Sequence, residues 1–318
     1  MNICELYKQS FNQGLTVIKD YLLVHFTEDV LVGIDKVGNC SFVINSSTPK
    51  QTQICQCTKV LSLECNVNAT YSSDGKTTST IVHVLKCLSK DEEDISLFLE
   101  LSSLFINEGD YSEEYIFGVF RTMVNFFSDK NEPSDIELQG LFAELYTIKY
   151  FMQPLHLENY WQSKDKLKFD FSISDKLKIE VKSTLKNNRI HHFKHDQLMT
   201  NLYDIFVVSF MLKHDDLGLS LYDLLLEARY LFRSDVNRLI KINQVLRNTS
   251  KSRLCSMCFE ENYTNLKMKI FKAEEIPKFR QVSPEGVSNA EYDCNLENIN
   301  EVNFDDFIEK VLLEFDER

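Results

Sequence analysis

The stretch "LKFDFSISDKLKIEVK" constrains this chain more than any other, because its apolar and polar residues alternate with one parity. Leu167, Phe169, Phe171, Ile173, Leu177, Ile179 and Val181 are apolar, whereas Lys168, Asp170, Ser172, Lys178, Glu180 and Lys182 are polar. Successive strand side chains point to opposite faces, so the spacing predicts two strands with odd residues in a core and even residues on the other face. Paired residues of a hairpin point the same way, which forces even to face even across a loop of odd length. A loop of Ser174, Asp175 and Lys176 then pairs Asp170 with Glu180 and Lys168 with Lys182.

Two carboxylates placed directly opposite have Cβ atoms roughly 5 Å apart, a destabilising pair unless something positive lies between them. A divalent cation removes that penalty, and Mg²⁺ in phosphoryl-transfer sites takes one or two carboxylates with positions left for water and phosphate. Lys182 shares the face of Glu180, where an ammonium can hold an attacking water, help deprotonate it or offset developing phosphate charge. The same pattern also fits a plain ribbon with a solvated face, on which Glu-x-Lys is common. Upstream, "DIELQGLFAELYTIKYFM" reads as a helix entered through a capping box of Ser134 and Glu137. It buries Leu138, Leu141, Phe142, Leu145 and Ile148 and sets Glu144 beside that stripe.

The first hundred residues are β-rich, with "DYLLVHF", "VLVGIDKVGNCSFVI" and "STIVHVLKCL" broken by the turns "KVGN" and "SSDGKTT". "SEEYIFGVFRTMVNFFS" begins the helical part. After the hairpin come a polar loop rich in His191, His192 and His195, the buried strand "IFVVSFML", the helices "LYDLLLEARYLF" and "VNRLIKINQVLRN", and the strand "LKMKIF". A terminal helix carries Phe304, Phe307, Ile308, Val311, Leu312 and Phe315 on one face. The expected domains are a β-rich 1–110, a core 111–250 and a C-terminal extension 251–318.

A net charge of −13 over 318 residues argues against binding nucleic acid across the whole surface. Positive charge is concentrated instead, nine Lys/Arg against five Asp/Glu over 162–196 and seven against one over 228–253, as a groove for a polyanion would require or as solvated helices would show. No apolar run is long enough to span a bilayer, the N-terminus "MNICELYKQSFNQG" lacks a secretory pattern, and the nine irregularly spaced cysteines fit reduced thiols; the expectation is a cytoplasmic protein without a membrane partner. Cys55 with Cys57, and Cys255 with Cys258 and a distant Cys294, supply too few ligands for zinc.

The order of helical Glu, Asp, then Glu-x-Lys resembles the PD-(D/E)XK nuclease superfamily. "GLFAEL", Trp161, "FDF", "IEVKST", a later "QL" and the tail "PKFRQVSPEGVSNAEYDCNL" look like the uncharacterised bacterial PD-(D/E)XK family of restriction-like and phage-defence gene clusters. The resemblance implies an α+β restriction-endonuclease-like core, a mixed sheet flanked by helices. It further implies Asp170 and Glu180 as metal ligands with Glu144 as an accessory acid that also joins the metal, Lys182 as catalytic lysine, and Mg²⁺ or Mn²⁺ as cofactor. Phe169 stands where the superfamily name expects Pro. Gln197, His195, Lys186, Arg229 and Arg233 are the substrate-binding candidates. The expected activity is DNA phosphodiester hydrolysis, with a homodimer, an ATPase and a DNA methyltransferase as partners. A nuclease-fold subunit that binds DNA without cutting, or an adaptor, is the competing expectation.

Overall fold

The computed structural model describes residues 3–13, 16–18, 21–73, 76–106, 109–128, 131–162, 168–199, 202–279 and 290–316. Leu167, two residues of the expected turn "SSDGKTT" (74 and 75) and residues 280–289 of the tail lie outside them. The chain forms two compact units, Met1–Lys130 and Asn131–Arg318.

In the first unit, helix α1 (Ile3–Gln13) precedes β1 (Thr16–Ile18), β2 (Tyr21–His25), β3 (Val30–Asp35), β4 (Cys40–Asn45), β5 (Ile54–Cys57), β6 (Leu61–Ser73) and β7 (Lys76–Cys87). These build one antiparallel sheet in the order β1-β2-β3-β4-β7-β6-β5. The turn between β3 and β4 needs a positive φ, which Gly38 supplies at 79°. Helices α2 (Glu92–Ile106) and α3 (Glu113–Ser128) follow. The unit boundary falls at 130/131 and not at 110/111, because α3 packs with α2, β6 and β7 and buries Ile116, Val119, Phe120, Met123, Phe126 and Phe127.

The second unit contains α4 (Asp135–Tyr150), α5 (Met152–Leu155), β8 (Phe171–Ser172), β9 (Leu177–Thr184), β10 (Ile190–Lys194), β11 (Asp204–Met211) and β12 (His214–Ser220). Then come α6 (Leu221–Leu231), α7 (Val236–Asn248), α8 (Lys251–Ser256), β13 (Cys258–Phe259), α9 (Glu261–Leu266), β14 (Lys269–Lys272), β15 (Glu291–Asn295) and α10 (Phe304–Asp316). The central sheet runs β14-β11-β9-β8, with β9 and β11 parallel and the outer pairs antiparallel. With ten helices among the described residues, this is a mixed α+β architecture.

Parity decides which side each strand residue takes. Leu177, Ile179 and Val181 of β9 join Phe206, Val208 and Phe210 of β11 in a core roofed by α4 and α6. Ile205 and Val207 face the other way, with Phe193, Phe271 and Leu296. Since Val207 stands beside Glu180 in the parallel register, the even residues of β9 occupy that second side. Its cover is the β10-β15 ribbon, so the expected polar loop at the histidines is a strand and a short 3₁₀ turn, His195–Leu198. The stretch 251–318 is likewise no appendage: β14 completes the central sheet, β15 completes the ribbon, and Phe307 and Val311 of α10 enter the core. Leu312 and Phe304 of the expected stripe stay 37% and 40% exposed.

Inside the second side, Arg189 is 2% exposed and donates through Nη1 to the carbonyl and Oγ of Ser209, at 2.9 and 2.6 Å. His191 Nε2 meets the same Oγ at 2.6 Å. Burial, then the charges of Arg189 and Lys182, push His191 down to about 3. The unfolded chain takes up a proton near pH 6.5 that the folded protein refuses, so stability drops as pH falls from 6.5 toward 3. Between pH 7 and pH 5 the loss from this residue is about 2 kcal/mol. His191→Gln is expected to flatten that slope in chemical denaturation; an unchanged slope would show that His191 does not set it.

Candidate active site

The predicted register holds, over a shorter strand than expected. Phe171 pairs with Ile179 and Ser172 with Lys178, around the loop of Ser174, Asp175 and Lys176, and the pairing stops one residue short of the expected Asp170–Glu180 pair. The strand ends there because residues 168–170 bend away. Phe169 turns into the second core, and the Lys168 ammonium lies 5.4 Å from the Phe169 ring centre, so the expected Lys168–Lys182 pair does not form. The bend redirects Asp170: its Oδ2 accepts from the backbone N–H of Val181 at 2.7 Å, which aims the carboxylate across β9.

Glu180 is only 3% exposed. Its Oε1 accepts from Lys182 Nζ at 2.7 Å and from Gln197 Nε2 at 2.6 Å. Gln197 Oε1 in turn accepts from Lys182 Nζ at 3.2 Å and from the Lys194 backbone N–H at 3.1 Å. Glu180, Lys182 and Gln197 therefore close a ring of hydrogen bonds, and the Lys182 ammonium also lies 5.1 Å from the Phe193 ring centre. The 3₁₀ turn that presents Gln197 is held from the C-terminal side. His195 N–H donates to the Ala290 carbonyl at 2.8 Å, and Lys278 Nζ donates to the Leu198 carbonyl at 2.8 Å.

Glu144 projects from α4, whose capping box forms as expected and whose Gln139 donates to Ser183 Oγ of β9 at 3.0 Å. Glu144 Oε2 accepts from Trp161 Nε1 at 2.7 Å and faces Lys241 Nζ of α7 at 3.5 Å. The three acids feel one another. Asp170 is raised well above the usual carboxylate range by burial, then by the charges of Glu180 and Glu144, against the Val181 N–H and Lys182. Burial also raises Glu180, opposed mainly by Lys182.

The substrate-binding candidates are dispersed. His195 is buried with Nδ1 3.1 Å from the Tyr292 hydroxyl, so it turns inward and not toward open surface as expected. Lys186 is exposed just past β9, its backbone N–H donating to Thr184 Oγ1 at 3.1 Å. Arg229 lies on α6, and Arg233, beyond its end, stacks over Tyr230 at 4.5 Å. Much of the basic stretch serves internal contacts: Arg238 donates to the Trp161 and Asn159 carbonyls, Arg253 pairs with Glu132 and Asp135, and Lys241 with Glu144. The role of Lys241 had no sequence signal beyond that stretch, since its place beside Glu144 depends on how α7 packs.

Among the described residues no three His, Cys, Asp or Glu side chains gather closely enough to form a metal cage by themselves. Mg²⁺ seldom uses one; it keeps several waters and takes one or two carboxylates. Asp170 and Glu180 suit that habit, whereas Glu144, expected to join the metal, forms no three-acid group with them among the described residues and is held by Trp161 and Lys241. Glu180 Oε2 is buried with no hydrogen-bond partner among the described residues, an arrangement that costs about 1–3 kcal/mol and more for a charged group. A cation beside it would satisfy that oxygen and relieve the repulsion on Asp170. Hard oxygen donors of this kind fit Mg²⁺ or Mn²⁺.

A family model described as "Putative PD-(D/E)XK family member, (DUF4420)" matches residues 21–297. No curated protein and no solved structure matches the chain. No helix of the described residues is long and apolar enough to cross a membrane.

Proposed function

We propose that this chain, which belongs to the PD-(D/E)XK family DUF4420, hydrolyses DNA phosphodiesters with the help of Mg²⁺ or Mn²⁺. The observation that carries the reading is the junction of two mutually repelling carboxylates, half-buried Asp170 and buried Glu180, with one fixed ammonium, Lys182. A solvated ribbon face has no use for a buried acid that lacks a partner on one oxygen.

Asp170 and Glu180 would hold the cation, which when bound polarises a phosphoryl oxygen and lowers the pKa of water. The protein's own groups do the positioning. Lys182 is tethered by Glu180 and Gln197, so its remaining N–H donor can be offered to a phosphate oxygen or an incoming water without first losing much side-chain freedom. Val181 N–H holds Asp170 in its aimed rotamer. The burial of Glu180 keeps bulk water away from its side of the cluster, which strengthens every charge interaction there.

A role in a restriction-like or phage-defence system, with a homodimer, an ATPase and a DNA methyltransferase as partners, belongs to the same proposal and follows from the family resemblance.

The direct experiment incubates purified protein with single- and double-stranded DNA and Mg²⁺ or Mn²⁺, with and without chelator. Cleavage that stops when EDTA is added is expected. Calorimetric Mn²⁺ binding without cleavage of any DNA would favour a binding subunit, and cleavage indifferent to EDTA would remove the metal from the reading.

A further inference from the structure

The chain has one tryptophan, and it joins two of the three acids. Trp161 is 1% exposed and donates its indole N–H to Glu144 Oε2 at 2.7 Å. Its backbone bridges Phe171, the neighbour of Asp170, and the next N–H, that of Gln162, donates to the Asp170 carbonyl at 2.8 Å. One short segment therefore grips the Glu144 carboxylate by a side chain and the Asp170 backbone by its main chain.

The grip is itself held from behind. Phe232 stacks on the indole at 5.4 Å, Arg238 Nε donates to the Trp161 carbonyl at 3.2 Å, and the Lys241 ammonium lies 4.9 Å from the indole ring centre. Lys241 also faces the same Glu144 oxygen that the indole bonds. An indole N–H is a donor only and has one direction, so it fixes the carboxylate's rotation where a lysine would follow it.

We infer that Trp161 is a positioning residue for the cation site: through its N–H it sets the orientation of Glu144, and through its backbone the separation of Glu144 from Asp170. This rests on the metal-site reading above. Groups that orient the acids around an ion in this way typically change metal affinity or activity 10- to 100-fold when removed, although they never touch the ion.

Trp161→Phe keeps the stacked ring and deletes the N–H. Mn²⁺ binding by calorimetry on the full chain is expected to weaken about tenfold, with far-UV circular dichroism unchanged. Glu144→Ala should weaken it similarly, and the double variant Trp161→Phe/Glu144→Ala no further than Glu144→Ala alone, since the indole acts through that carboxylate. In the wild type the emission of Trp161 should change with Mn²⁺ along the calorimetric isotherm, an arm that stands even if Trp161→Phe fails to fold. Wild-type affinity in Trp161→Phe, additive losses in the double variant, or emission indifferent to bound Mn²⁺ would each overturn the inference while leaving the metal site intact. A wild type that binds no Mn²⁺ would overturn the metal site and this inference together.

Discussion

Asp170→Asn is expected to abolish divalent-cation binding and DNA cleavage, and at the same time to raise the melting temperature of the cation-free protein. The two effects share a cause. Asp170 is lifted well above the usual carboxylate range by burial and by the negative charges of Glu180 and Glu144. In the folded protein it holds its proton to higher pH than in the unfolded chain, so the folded state binds more protons and stability declines as pH rises from the ordinary Asp range upward. Asparagine keeps the size and an oxygen for the Val181 N–H but removes the charge. The cation-free variant is therefore expected to melt above the wild type, by an amount tempered by the solvent access Asp170 keeps. Melting curves in EDTA from pH 5 to pH 9 should show the variant's advantage widening with pH, and calorimetry should show no Mn²⁺ binding. A lower melting temperature than wild type at pH 8 would mean that the carboxylate is a net structural asset, contrary to a site kept for function at a cost in stability.

Local rules recovered the parts of this site that local rules control. Period-two alternation located β9 and its buried odd face, the odd loop gave the register that pairs Phe171 with Ile179 and Ser172 with Lys178, and the Ser134–Glu137 box marked the start of the helix that carries Glu144. What stayed hidden was decided by distant packing. Alternation alone puts Phe169 with the other odd residues; the bend at 168–170 instead sends it into the second core, next to residues from β11 and β14. The histidine segment reads as polar, yet His191 and His195 are buried because β15, about a hundred positions later, lies over β10. Gln197 could be read only as a polar residue before a strand. Its place against Glu180 requires Lys278 and Ala290 from the C-terminal region, which no local pattern connects to it. The same holds for Lys241, whose partner Glu144 is set by how α7 packs. The family match covers the β9 motif and much of that C-terminal region together, in keeping with a site that neither builds alone.

Lys182→Ala is expected to lower cleavage by on the order of 10²–10⁴-fold while leaving Mn²⁺ bound, the range for losing a positioned proton-transfer group or a charge that stabilises a transition state. Retained binding is the discriminating part. Lys182 competes with a cation for Glu180 Oε1, 2.7 Å away, so its removal should leave Mn²⁺ affinity unchanged or tighter. Cation-free protein should pay for the change in stability. Glu180 is almost fully buried, and removing one partner of a buried ion pair costs about 3–5 kcal/mol when the other stays charged. Glu180 can escape part of that by taking a proton, since burial already raises its pKa, so the loss should be smaller at pH 5 than at pH 8. Added Mn²⁺ should then restore the variant's melting temperature more than it raises that of the wild type, because the ion replaces the missing positive charge. Gln197→Ala provides the graded case: it frees the ammonium from one of its two tethers without removing it, and a smaller loss of cleavage is expected. Cleavage and Mn²⁺ affinity measured side by side on the three proteins decide the matter. If Lys182→Ala cuts as fast as wild type, the ammonium is only the structural counter-charge of Glu180; if it loses Mn²⁺ along with cleavage, Lys182 holds the site together and the chemistry lies elsewhere.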